Sequence, residues 1–399
     1  MPKLKRDLTM EQQLARGPLD MPFLMLVVLL TVIGVIMVFS ASYATALNEG
    51  RKATYYFARQ AAFAVAGLGA MYVISKINYQ HFRWMSVFVL GISVVLLILV
   101  FPFGYGKAEV GAQRWIRMPG IGSLQPSEVA KVGVILYFAA RLCKRNTEKK
   151  KRFGDAPKER ALAFLDRIGF LELVPYILVL GVVVLLVLLE PHMSGTILII
   201  AGAAAVLFAA GIHWGWFVGG GGFIMAALWF IITKTPYMTK RINLWKDPWA
   251  YPKDGGYQII QSLYAIGSGG LFGVGFGQGR QKLGFLPEPE NDFVFSVVCE
   301  ELGLIGAGLI LALFAMLVLR GYWIALHARD RFGSLLVVGI ITLLAVQVFL
   351  NISVVTNFMP TTGISLPFFS YGGTALMIQL GEMGIVLSVS RQVPAPKQG

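Results

Sequence analysis

Charge is scarce in this chain: 14% of its 399 residues are Asp, Glu, Lys or Arg, against 56% that are hydrophobic. A water-soluble fold could not cover that composition with polar surface, which excludes an ordinary soluble domain. Acid is scarcer than base, 21 residues to 35, leaving a formal net charge of +14. Cysteine is nearly absent. Cys143 and Cys299 fall near opposite faces of the expected membrane, too far apart to bridge, and have no metal-ligand spacing. The glycine-rich stretch 267–277 lacks the Lys-Ser/Thr of a nucleotide loop, which excludes an ATP site there. No internal repeat is visible, which weakens an inverted-repeat transporter, and the ten-residue alternation of a membrane barrel is missing too.

What is there is a series of long apolar runs. Windows of about 20 residues, the length that crosses a bilayer, fall near 22–45, 55–75, 83–103, 127–143, 171–189, 194–211, 214–233, 294–319, 334–357 and 366–389. Backbone groups in hydrocarbon must be satisfied within their own segment, so the expected fold class is an all-α polytopic membrane protein of about ten helices. Basic residues cluster before the first run, between the second and third, through 141–167, after the eighth and at the C-terminus. With ten spans all of these fall on one side, which makes both termini cytoplasmic. The expected organisation is an N-terminal tail (1–21), one membrane domain (22–390) and a C-terminal tail (391–399). Within the membrane domain lie a basic cytoplasmic loop (144–168) and a large extracytoplasmic loop (234–293). The positive excess then reflects orientation and anionic lipid rather than nucleic acid.

Ionisable residues inside or at the ends of such runs are costly in lipid and are functional suspects. Here they are Glu128, Lys131, Glu172, Glu190, His192, Asp292, Glu300, Glu301 and Glu382. Glu128 and Lys131 are three apart at a helix start marked by Pro126 and Ser127. They suit a structural i,i+3 ion pair or a cavity wall where Lys131 meets an anion. Arg114 and Trp115 suit an interface anchor or a phosphate-gripping guanidinium. Gln347 and Asn351 lay an amide stripe on the ninth run, which helix packing explains as well as function does. Asp292 ends the polar stretch 282–293 at the mouth of an apolar helix, at i, i+4 and i+8 with Ser296 and Glu300. It reads either as a helix-start residue favoured by the dipole or as a general base or metal ligand. Ser296 and Glu300 share its face but point toward the packed bundle, which makes them structural.

Several blocks in fixed order resemble one family across nearly the whole chain. They are Gly111-Ala-Gln-Arg-Trp-Ile116, Gln125-Pro-Ser-Glu-Val-Ala-Lys131, Gly256-Tyr-Gln-Ile-Ile-Gln-Ser262, Ala265-Ile-Gly-Ser-Gly-Gly270, Leu286-Pro-Glu-Pro-Glu-Asn-Asp-Phe293, Glu300-Glu-Leu-Gly303 and Ser370-Tyr-Gly-Gly373. The family is that of the bacterial shape, elongation, division and sporulation proteins. Gln281-Lys282 and the Leu-Pro-Glu-Pro wording look closer to its division and sporulation branch than to its elongation branch.

The resemblance implies a peptidoglycan glycosyltransferase of the bacterial cytoplasmic membrane. Such an enzyme polymerises lipid II on the outer membrane face beside a class B penicillin-binding transpeptidase. It makes Asp292 the catalytic carboxylate. Glu128, Lys131, Arg114, Trp115, Gln258, Gln261, Lys282 and Ser370 become substrate contacts, and a divalent cation at the carboxylate and diphosphate suits the chemistry. Two departures stand out. The family commonly has His-Thr or Gln-Thr before the aspartate, where this chain has Glu290-Asn291. It often has Pro-Asp-Leu-Gly-Thr where this chain has Pro191-His-Met-Ser-Gly-Thr196. Two other classes compete: a lipid II flippase, which would continue its polar residues through the inner half, and a scaffold that would leave Asp292 dispensable.

Overall fold

The computed structural model describes residues 17–106, 113–118, 122–145, 169–222, 229, 236–253 and 256–392. The helices are α1 (Met21–Asn48), α2 (Tyr55–Lys76), α3 (Gln80–Phe103), α4 (Pro126–Leu142), α5 (Phe170–Leu189), α6 (Met193–Ala209), α7 (Pro236–Lys246), α8 (Gly256–Ser268), α9 (Val294–Leu326), α10 (Arg331–Val355) and α11 (Gly373–Ser390). Seven of these, α1, α2, α3, α5, α9, α10 and α11, are long and apolar enough to cross a membrane, and α6 is a shorter apolar helix. The seventh expected run is helical over 215–222 and then passes outside the described residues. So do residues 146–168 of the basic loop, the N-terminal tail up to 16 and Gly111 and Ala112 of the first family block.

Local chemistry sets the helix starts. Asp20 caps α1 by accepting the Phe23 N–H at 3.0 Å, and it also receives Arg320 of α9 at 2.8 Å. Asp330 caps α10 through the Gly333 N–H and receives the Tyr79 hydroxyl at 2.6 Å and the Gln80 amide at 2.8 Å. Pro126 opens α4 at a position that needs no N–H. Within a bilayer, close backbone approach replaces the hydrophobic drive between helices. A Cβ at Gly384 would lie 2.8 Å from the Met71 carbonyl oxygen, so α11 and α2 meet at backbone distance.

Three findings differ from the sequence expectation. A three-stranded antiparallel sheet, β1 (Gly104–Tyr105), β2 (Trp115–Met118) and β3 (Gly122–Leu124), joins α3 to α4, pairing Tyr105 with Trp115 and Ile116 with Leu124. Its strands are too short to show alternation. The last helix begins at Gly373 rather than near 366, because residues 367–371 form turns after Pro360 and Pro367. The long loop 234–293 carries α7 and α8, and α8 buries Ile259, Ile260, Ser262 and Ala265 against α9.

Candidate functional site

Pro287 and Pro289 keep the chain out of a helix through 282–293, and Glu288 takes a positive φ of 48°. Asp292 therefore stands in a turn, and α9 starts two residues later. Its N-cap is Phe293, with no side-chain cap hydrogen bond, so Asp292 stands one residue before the cap, at the positive end of α9. The expected shared helical face with Ser296 and Glu300 fails, since Asp292 precedes the helix. Ser296 bonds the Ser262 hydroxyl at 2.7 Å, and Glu300 accepts the backbone N–H of Arg280 at 2.8 Å.

Asp292 lines a cavity of about 460 Å³, within the range of small-molecule sites. The wall also holds Arg59, Arg114, Trp115, Glu128, Lys131, His192, Ser370 and Glu382. Lys131 and Glu128 pair at 2.7 Å and line the cavity together, so the structural and functional readings of that pair coexist. Arg114 donates to the backbone carbonyls of Glu190 and Pro191. Ser370 accepts the Leu366 N–H at 2.7 Å and holds the turn before α11. Gly363, at φ 70°, leaves room for the carboxylate: a Cβ there would lie 3.2 Å from Asp292 Oδ2.

Three of the expected substrate contacts do not line this cavity. Gln258 donates to the Pro287 carbonyl at 3.3 Å on the loop, and Gln261 lies elsewhere on α8. Lys282 is buried in an ion pair with Glu301, and its ammonium also reaches Ser40 Oγ at 2.7 Å. Its partner arrives 19 residues later, after the chain has reversed, so a lysine in a polar loop read as a ligand contact is instead an internal strut.

Arg59 is a cavity residue the sequence reading missed. It sits in the first turns of α2, and its guanidinium donates to the Tyr55 hydroxyl at 2.9 Å. The missed signal was an arginine inside an apolar run, the same rule that singled out Lys131. Between α5 and α6, burial pushes the Glu190 carboxyl up to about 8, with Arg114 opposing. Burial pushes His192 down to about 3, aided by the charges of Arg114 and Lys131. Both are therefore neutral near pH 7. His192 Nε2 faces the Gln125 amide at 3.3 Å, and both Glu190 oxygens lack a hydrogen-bond partner among the described residues.

Membrane-length helices around one polar cavity, with a carboxylate set in its wall on a loop, define a membrane-embedded protein that handles a polar or amphiphilic molecule. Residues 21–394 match the cell cycle protein family of FtsW, RodA and SpoVE, and the chain belongs to it. It is 43% identical over 375 residues to a probable peptidoglycan glycosyltransferase FtsW of Geobacter metallireducens, covering 94% of this chain and 95% of that one. Against stage V sporulation protein E of Bacillus subtilis it is 39% identical over 372 residues, covering 93% and 97%. Among solved structures it resembles a chain from "Structural coordination of polymerization and crosslinking by a peptidoglycan synthase complex", with TM-score 0.74 and 27% identity over 94% and 98% of the two chains. It also resembles the rod shape determining protein RodA of Thermus thermophilus, with TM-score 0.65 and 26% identity over 95% and 98%. Family and spans together make this a multi-pass protein of the bacterial cytoplasmic membrane.

Proposed function

We propose that this chain polymerises lipid II into glycan strands at the cavity, with Asp292 as general base. The chain is a peptidoglycan glycosyltransferase by its family and by the relatives it matches along nearly its whole length. One observation carries the residue assignment: Asp292 shares a single cavity wall with Lys131, Arg114 and Arg59. The carboxylate takes the proton of the acceptor sugar 4-hydroxyl as that oxygen bonds to the donor's anomeric carbon. The bond from that carbon to the diphosphate breaks, and its electron pair leaves with the polyprenyl diphosphate. Cations in the wall stabilise that developing charge. Glu128 already neutralises part of Lys131, so Arg59 and Arg114 supply much of the positive field. Trp115 and Ser370 complete the substrate wall.

A divalent cation belongs to the proposal only as a companion of the diphosphate. Among the described residues no three His, Cys, Asp or Glu side chains come together as a metal site, and Asp292 is the residue that would hold the cation beside the diphosphate oxygens. The partner we propose is a class B penicillin-binding transpeptidase, in keeping with the synthase complex that supplies a structural neighbour. Ten spans, cytoplasmic termini and an extracytoplasmic 234–293 segment complete the reading, with the domain limits given above.

The test is glycan synthesis from lipid II by purified protein with its transpeptidase. Asp292→Asn is expected to fold normally and to lose polymer. Wild-type polymer from a folded Asp292→Asn protein would sink the assignment and favour a flippase or scaffold.

A further inference from the structure

A catalytic carboxylate cannot anchor its own loop through the atoms that must meet substrate, so the anchoring falls to the backbone around it. Two carbonyls flank the Asp292 turn. The Glu290 oxygen accepts the Tyr371 N–H at 2.8 Å, and the Asp292 oxygen accepts Asn351 Nδ2 at 2.8 Å. The same Nδ2 donates its second hydrogen to the Ile364 carbonyl at 2.7 Å. Residues 363–366 line the same cavity beside the carboxylate, with Gly363 against Asp292 Oδ2. One side-chain nitrogen thus joins the loop that carries Asp292 to the wall segment beside it. One turn earlier, Gln347 Nε2 fastens the same wall through the Ser365 carbonyl at 3.0 Å.

The orientation of the Asn351 amide is dictated by its partners. Two carbonyl oxygens at hydrogen-bond distance can be met only by N–H groups, so nitrogen must face them, and Oδ1 is left buried without a partner. Asn351 is fully buried and does not line the cavity, so it touches no substrate. We propose that Asn351 is a positioning residue of the reaction, setting where the Asp292 carboxylate stands relative to the adjoining 363–366 wall of the cavity. This rests on Asp292 being the base. Asparagine suits the task because aspartate would aim oxygen at both carbonyls and leucine would leave both unbonded.

The experiment measures steady-state glycan synthesis from lipid II by the full-length protein with its transpeptidase, alongside thermal unfolding. Asn351→Asp is expected to lower kcat about 100-fold, the scale of a catalytic group displaced by about 1 Å. KM should stay within about threefold, because binding contacts are untouched. Asn351→Ser, with one donor left, should fall between, about 10-fold down in kcat. Asn357→Ala removes a comparable amide bond, to the Trp245 carbonyl beyond the end of α10 and outside the cavity lining. It should lower the unfolding temperature and spare kcat. Wild-type kcat in the Asn351 variants overturns the inference, as does a kcat loss that Asn357→Ala reproduces at equal destabilisation. If Asn351→Asp does not fold, Asn351→Ser is judged by the same two criteria. An active Asp292→Asn protein overturns the base and Asn351's role with it, whereas inactive Asp292→Asn with active Asn351 variants overturns only the latter.

Discussion

Glu190 and His192 are two residues apart and are pushed in opposite directions by the same burial. Glu190, raised from 4.5 to about 8, is protonated when folded, so its contribution to stability is full below pH 4.5 and lost as pH rises through about 8. His192, lowered from 6.5 to about 3, contributes stability above pH 6.5 that is lost as pH falls toward 3. Glu190→Gln keeps a neutral side chain at every pH. Its unfolding temperature should exceed wild type at pH 8 to 9 and match it near pH 4.5, measured on the detergent-solubilised protein; identical pH curves would refute the assignment. Residue identity announced which groups were suspects, but not which of them met. Asp292, Glu128, Lys131, Arg114, Trp115 and Ser370 do line one cavity. Lys282 was misread because a polar loop hides a long-range partner. Removing one member of such a fully buried pair costs about 3–5 kcal/mol, which marks Lys282 as part of the frame.

At the scale of the element, α9 is broken at Gly303, where φ is 66° and ψ is −171°, a region that only glycine occupies readily. The carbonyls released by the break are met by the glycine-rich loop running alongside. The Val274 and Gly275 N–H groups donate to the Glu300 and Glu301 carbonyls at 3.0 and 3.1 Å. Leu304 and Ile305 donate to Gly270 and Leu271 at 2.9 and 3.1 Å. A non-helical backbone at this depth persists because protein supplies the bonds that lipid cannot. A Cβ at Gly303 would lie 2.2 Å from the Gly273 nitrogen, so Gly303→Ala should cost about 3 kcal/mol or more. Its signature is a fall in folded yield and unfolding temperature, and an unchanged melt would contradict the kink. The sequence showed residues 267–277 as a glycine-rich stretch without a nucleotide-loop signature. It did not disclose that the run is the missing partner of a helix, because that pairing joins segments some 30 residues apart. The span limits were legible to within a few residues for the first six runs and the ninth, whereas α9 runs seven residues past its expected end to Leu326 and Pro360 and Pro367 delay α11. Apolar length decides a span, but turn chemistry decides its first residue.

For the whole molecule, the sidedness of basic residues was the strongest signal in the sequence, and it is the part of the proposal that rests least on side-chain geometry. Its check is labelling of a cysteine-free background with an impermeant maleimide in intact cells. Lys253→Cys should react from outside, and Lys150→Cys only after permeabilisation; the reverse pattern would invert the topology. The cavity itself was not legible, since its wall draws on α2, α4, α6, α10, α11 and the Asp292 turn, and no local pattern encodes that convergence. Gln347 and Asn351 illustrate the limit: their spacing was visible as a stripe, whereas the loop carbonyls they bind were not.

Two of the helices that line the cavity are short. At about 1.5 Å per residue, α4 and α6, with 17 residues each, reach about 26 Å, whereas the 28 residues of α1 reach about 42 Å. Against a hydrocarbon layer about 30 Å thick, helices of that reach span less than the full layer, so on the proposed function the cavity floor lined by Gln125, Glu128, His192 and Ser194 would lie below the headgroup plane. On that reading a sugar carried on a polyprenyl chain would descend to the carboxylate while its tail stays in oil. Lifting that tail toward water would cost about 0.8 kcal/mol for every methylene exposed. Such a recess would make the extraction unnecessary and leave the departing lipid carrier already at its resting depth.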